Sequence, residues 1–187
     1  MTTTTAFLSG ERRVLVERWV GLVLGTYPPA VARTYAEDPD EFRNPVGHAI
    51  RRSLEGLVDA LLRDFDAEHV ARLLDPVVRI RAVQAFTPPD AVGFVVLFKR
   101  VVRDVAQVVG ENPMDASALA VLDERIDRAA LVACDLDDAC RRRISSLGTR
   151  ERRQRRVDLH AGDAFPAQSQ ERPASGDASV SAGESTP

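Results

Sequence analysis

Apolar residues recur at three- and four-residue intervals along most of this chain, and no alternation of the kind a strand needs runs for more than a few residues. Val16, Trp19, Val20 and Val23 mark a first helix over 12–24, stopped by Gly25-Thr26-Tyr27-Pro28-Pro29. A short helical piece is expected over 30–36, followed by an acidic loop over 37–43. Asn44-Pro45 reads as a cap followed by a first-turn proline. From there Val46, Ile50, Leu54, Leu57, Val58 and Leu61 form one stripe. Asp66 opens another helix over 66–86, interrupted or kinked at Pro76. Thr87-Pro88-Pro89-Asp90 then has the form of a capping box, with Pro88 at the first helical position and Asp90 reaching back. The helix it opens should run to Val109 and stop at Gly110, with Ala91, Phe94, Val95, Phe98, Val102 and Val105 on one broad face. A last helix is expected over about 113–146, carried by Leu119, Leu122, Ile126, Ala129, Ala130, Val132 and Ala133.

This pattern predicts an all-α fold: a helical bundle of about five main helices with a disordered C-terminal tail. Residues 1–9 are expected as a flexible N-terminus, 10–147 as the helical domain, and 148–187 as an Arg-rich segment and tail. That tail is rich in Ala, Ser, Gly and Pro, with too few large apolar residues to offset the entropy of ordering it.

Composition narrows the function. A net charge of −3 gives no global field that would draw nucleic acid or a membrane surface. No apolar run approaches the roughly 20 residues of a membrane span, and no signal peptide is visible. The expectation is a cytoplasmic protein with no membrane insertion. Cys134 and Cys140 stand six apart on one predicted helix, on different faces, and are expected as reduced thiols. With Asp135, Asp137 and Asp138 they resemble a metal set in composition only, since one helix spreads them around its axis. The preferred reading is a solvated acidic face with two small buried thiols. Glu68-His69 is a weaker metal candidate still. No metal, cofactor or catalytic residue is assigned, for the chain has no phosphate loop, GxSxG, HExxH or CxxC.

Two charged features remain. Arg141 to Arg156 holds eight arginines against Glu151 alone. Cations suit a helix C-terminus, and no aromatic residues interleave for base stacking, so a nucleic-acid role is the lesser reading. Arg81, Gln84 and Lys99 lie within an otherwise apolar stretch, and Lys99 is the only lysine of the chain. One reading has Arg79 and Arg81 snorkelling to solvent, Gln84 on a helix end and Lys99 paired with an acid. The other has Arg81, Gln84 and Lys99 as a patch that contacts an anionic ligand or an acidic partner.

Three segments carry a family resemblance: "RWVGLVLGTYP" (Arg18 to Pro28), "DEFRNPVGHAI" (Asp40 to Ile50) and "IRAVQAFTPPDAVGFVVLFKRVV" (Ile80 to Val102). They resemble the N-terminal domain of RsbRD-type proteins, co-antagonists of the RsbT switch kinase. The matching positions are Trp19, Tyr27, Pro28, Phe42, Asn44, Pro45, Arg81, Ala82, Val83, Gln84, Phe86, Pro88, Ala91 and Lys99. Phe98 stands where leucine is common and Pro89 where a small polar residue is usual. The resemblance implies a non-enzymatic sensory or regulatory module. In that family the domain commonly precedes an output domain such as STAS, for which about 100 residues are needed. The expectation here is therefore a module acting on a regulatory protein partner in trans, and a homo-oligomer.

Overall fold

The computed structural model describes residues 3–38, 40–108 and 115–162. Among them are eight helices and no strand: α1 (Thr3–Gly10), α2 (Arg12–Leu24), α3 (Pro29–Glu37), α4 (Pro45–Leu62), α5 (Ala67–Val83), α6 (Pro88–Gly93), α7 (Leu97–Val108) and α8 (Ala116–Gly162). Contacts divide the chain into two units, Met1–Leu147 and Gly148–Pro187. No helix among the described residues is long and apolar enough to cross a membrane.

In the first unit α2 is central and packs against α1, α3, α4 and α7, while α5 lies along α4. Leu15, Trp19 and Val23 of α2, Ile50, Leu54 and Leu57 of α4, and Leu74 and Val77 of α5 are all fully buried. The first part of α8 adds Leu122, Ile126, Ala129 and Ala133 to that core, on the stripe that the 3.6-residue period selects. Its Arg125 donates to the carbonyl of Leu61 at the end of α4.

Beyond the five main helices and the short piece over 30–36, two local features bring the count among the described residues to eight. Residues 1–9 were expected to be flexible, yet Thr3–Gly10 is helical and Leu8 is only 2% exposed. Burial of Leu8 and partial burial of Phe7 against the core outweigh the weak propensity of a threonine run. The helix expected over 88–109 is also broken. After Gly93 the amides of Val95, Val96, Phe98 and Lys99 reach carbonyls three residues back, to Val92, Gly93, Val95 and Val96. The carbonyl of Phe94, which a continuous helix would offer to Phe98, accepts the indole N–H of Trp19 instead.

At Pro76, where an interruption or a kink is expected, α5 continues as one helix from Ala67 to Val83. Pro76 and Arg72 are both exposed, so water can take the freed Arg72 carbonyl. Nor does α8 stop at Ser146; it is helical to Gly162. Arginine, glutamine and leucine are good helix formers, and extending a helix costs far less than starting one. The expected disordered tail beyond 162 lies outside the described residues, as do Val109 and Gly110.

The broad face of Phe94, Phe98, Val102 and Val105, from which an oligomer was expected, is covered by the chain's own helices, each residue being 3% exposed or less. That face offers nothing to a second copy.

Candidate functional site

Three helix ends meet around Arg81. α2 stops at Leu24, α5 at Val83, and α6 begins after Thr87. The end of α5 is a Schellman turn. The Phe86 amide bonds the Arg81 carbonyl at 3.2 Å, the Ala85 amide bonds the Ala82 carbonyl, and Ala85 takes the left-handed conformation with φ 59°. This geometry swings Phe86 back over Arg81, whose guanidinium carbon is 4.9 Å from the ring centre. Tyr27 and Phe94 supply two more rings, at 5.1 and 5.0 Å.

Arg81 is fully buried rather than snorkelling. Its Nη1 donates to the Asp90 carbonyl at 2.9 Å, and its Nη2 donates to the Val23 carbonyl at 3.2 Å and the Thr26 hydroxyl at 2.8 Å. The Val23 carbonyl lies in the last turn of α2, where a cation meets the negative end of the helix dipole. Asp90 contributes its backbone and not its carboxylate, which accepts from the Thr87 hydroxyl. Among the described residues no carboxylate is a hydrogen-bond partner of Arg81. Its charge rests on helix-end oxygens and aromatic faces.

Satisfaction at this corner is incomplete. Among the described residues Arg81 Nε and the Tyr27 hydroxyl are buried without a hydrogen-bond partner. Burial lowers the Arg81 pKa from its ordinary value, opposed by Tyr27 and by the charge of Asp90. Burial raises the Tyr27 phenol, opposed by Arg81. The two groups sense each other without a well-formed hydrogen bond between them.

The three sequence-selected polar residues do not converge. Gln84 caps α5 from the exposed side and donates to the Tyr35 hydroxyl at 3.2 Å. Lys99 bridges α7 to α8, 2.8 Å from Asp127 and 3.9 Å from Asp123. No hydrogen-bond or ion-pair partner is shared among Arg81, Gln84 and Lys99. Arg79 pairs with Asp75 one turn back.

Sequence reasoning missed a neighbouring groove of about 370 Å³ between α6 and α8, lined by Pro88, Pro89, Val92, Cys134, Asp137, Asp138 and Arg141. Asp137 is buried, at 4% exposure, and not part of a solvated face. Arg141 joins Asp137 at 2.6 Å and donates to the Phe86 carbonyl at 2.8 Å, tying α8 to the Arg81 corner. Cys134 is exposed and Cys140 half-buried, so the two thiols are free but not packed away. The i,i+4 spacing of Asp137 and Arg141 was the available signal. Among the residues with described side chains, no three or more His, Cys, Asp or Glu gather as a metal set.

The remaining motif residues divide by burial. Trp19 and Tyr27 are core. Asn44 caps α4 through the Gly47 amide, and its Nδ2 donates to the Tyr35 and Asp38 carbonyls, each at 3.1 Å. Pro45 and Pro88 each open a helix after its cap. Phe42 stands 96% exposed.

The described residues form an all-helical domain whose most elaborate interior feature is a clamp on three helix ends. Residues 13–155 match the family described as RsbT co-antagonist protein rsbRD N-terminal domain, and the chain belongs to it. It is a non-enzymatic regulatory and sensory module that acts on partner proteins. No curated protein and no solved structure matches the chain.

Proposed function

We propose that this chain acts in trans on a switch kinase of the RsbT type, in cytoplasmic stress signalling, with the Arg81 corner as the element whose state governs the interaction. The family description names RsbT as the protein that its members co-antagonise. The two free thiols suit a reducing compartment.

The observation that carries the corner's role is a fully buried guanidinium without a carboxylate partner, beside a buried phenol without a hydrogen bond. A buried polar group left partly unsatisfied costs free energy that a rearrangement can recover. Three helix ends share this one side chain, so a change there moves α2, α5 and α6 together. Regulatory elements need two packings close in energy.

The test is calorimetric titration of the purified chain into an RsbT-type kinase, beside Arg81→Lys. Saturable binding is expected, with Arg81→Lys folded but altered in affinity, because an ammonium cannot reproduce the fork that reaches Val23, Thr26 and Asp90. No binding overturns the assignment of partner. Unchanged affinity in a folded Arg81→Lys variant removes the corner from it.

A further inference from the structure

Phe42 is the most exposed large apolar side chain among the described residues; the next, Val83, is 73% exposed. A scattered half-exposed valine needs no explanation, but here an entire aromatic ring is given up to water. Its loop is nonetheless firmly built. Asp38 accepts the Asp40 amide, Asp40 accepts the Phe42 amide, and the Asp40 carbonyl takes the amides of Arg43 and Asn44. Beneath them Asn44, only 3% exposed, joins the end of α3 to the start of α4. Arg52 on α4 holds Glu41 at 2.8 Å. The backbone around Phe42 is thus fixed from both sides, while its ring packs on almost nothing.

We infer that Phe42 is an anchor for a protein partner, inserted into an apolar pocket edged with lysine or arginine. This rests on the regulatory reading above. Aromatic side chains held in place by a rigid frame make the strongest interface contacts, because little freedom is lost on binding. The charge around it selects the occupant: within five residues of it along the chain Glu37, Asp40 and Glu41 are exposed, against Arg43 and the Arg52 that pairs with Glu41. Such a rim, acidic by one charge, favours a basic protein surface over nucleic acid or anionic lipid.

The test uses the full chain in the cells that make it. Phe42→p-benzoylphenylalanine is photolysed beside the same replacement at Leu131, which is 67% exposed on α8. The crosslinked protein is identified, purified and titrated against wild type, Phe42→Ala and Glu37→Lys. The inference requires more adduct from position 42 than from 131. It also requires a Kd raised at least about 30-fold by Phe42→Ala, the effect of a hot-spot residue, with the melting temperature unchanged. Glu37→Lys should weaken binding several-fold, and added salt should slow association. Adduct only with a second copy, adduct from 131 alone, or a partner that binds Phe42→Ala within about threefold of wild type sinks the anchor. In the last two cases a partner is still bound and the regulatory reading stands. If neither position yields adduct and no partner binds, both fall.

Discussion

Trp19 donates its indole N–H to the carbonyl of Phe94, 2.8 Å away and 75 residues further along the chain. Its ring also lies 4.4 Å from that of Phe98. One side chain therefore explains both why α6 and α7 are separate and where their junction sits. The bond reaches a carbonyl that the break in the helix leaves free, and it does so inside the core, where an unmade bond is costly.

Trp19→Phe keeps an aromatic ring but removes the donor. The Phe94 carbonyl is then buried unpaired, and stability should fall by about 1–3 kcal/mol. Urea unfolding followed by circular dichroism measures this. A change within about 0.5 kcal/mol, typical of a neutral surface substitution, would show that water replaces the indole and that the junction is set by something else.

At the α3–α4 junction the limiting quantity is space. A Cβ on Gly47 would lie 2.4 Å from the Tyr35 carbonyl oxygen and 2.5 Å from the Asn44 side chain. Neither the backbone of α3 nor the buried cap can retreat cheaply. Gly47→Ala should therefore destabilise by at least as much as loss of a cap, about 1–2 kcal/mol, despite the better helix propensity of alanine. Asn44→Ala should do the same by orphaning the Gly47 amide and the Tyr35 and Asp38 carbonyls. Thermal melts of both variants decide it; a stabilised Gly47→Ala would refute the close approach.

The parts of this molecule that were legible in the sequence are those fixed by neighbours in the chain. Asn44 before Pro45 and Thr87 before Pro88 announce helix starts because a cap acts over three residues. The stripes Ile50–Leu54–Leu57–Leu61 and Leu122–Ile126–Ala129–Ala133 follow from helical period alone. What stayed hidden depends on distant partners. Nothing near Phe94 in the chain tells of Trp19, and nothing near Lys99 tells of Asp127. Arg81 was noticed as out of place, but its oxygens come from Val23, Thr26 and Asp90, two of them backbone carbonyls that any residue type could supply. The burial of Asp137 beside a groove that it shares with α6 is invisible from the sequence of α8.

Ala85 holds a left-handed conformation at the position where glycine normally closes such a turn. A Cβ there costs about 1–2 kcal/mol, while glycine adds about 0.4–1 kcal/mol of unfolded-state entropy to be lost. Ala85→Gly should be neutral or stabilising by up to about 1 kcal/mol, and Ala85→Val clearly destabilising, because branching makes positive φ worse. Denaturant midpoints of the two variants order the effects; a valine variant as stable as wild type would contradict the turn.

Arg12 grips Asp59 with two bonds, 2.7 and 2.8 Å, joining the start of α2 to α4. The Arg12 hydrogen bond holds the Asp59 carboxyl below its ordinary value, against an opposing effect of burial. A lowered carboxylate contributes stability above its unfolded pKa of about 4 and loses it as pH falls through the lower folded value. Arg12 is raised chiefly by the same bond, so its share is present below its unfolded value and is lost only in strong alkali. The window is therefore acidic. Both side chains are over two-fifths exposed, at 43% and 41%, so screening should keep the effect below about 1 kcal/mol. Asp59→Asn should flatten this part of the stability profile between about pH 5 and pH 2. An unchanged slope would assign acid sensitivity elsewhere.

Arg81, Gln84 and Lys99 give the sharpest contrast. Truncating Arg81 strands the Val23 and Asp90 carbonyls and opens a hole between three rings, so Arg81→Ala should cost about 3 kcal/mol or more. Arg81→Met refills the hole, and it leaves no unpaired carboxylate behind because none is bonded there; it should recover part of the loss. Gln84→Ala removes one exposed bond, worth about 0.5 kcal/mol or less. Lys99→Ala breaks a pair whose acids face water, worth about 1 kcal/mol at most. Phosphate should not raise the wild-type melting temperature, since the fully buried guanidinium presents no surface to an anion. Melting all four variants beside wild type, with and without phosphate, tests these statements together. If phosphate stabilises wild type but not Arg81→Ala, the corner opens to admit an anion, and the three residues act as one binding patch rather than as three separate ties.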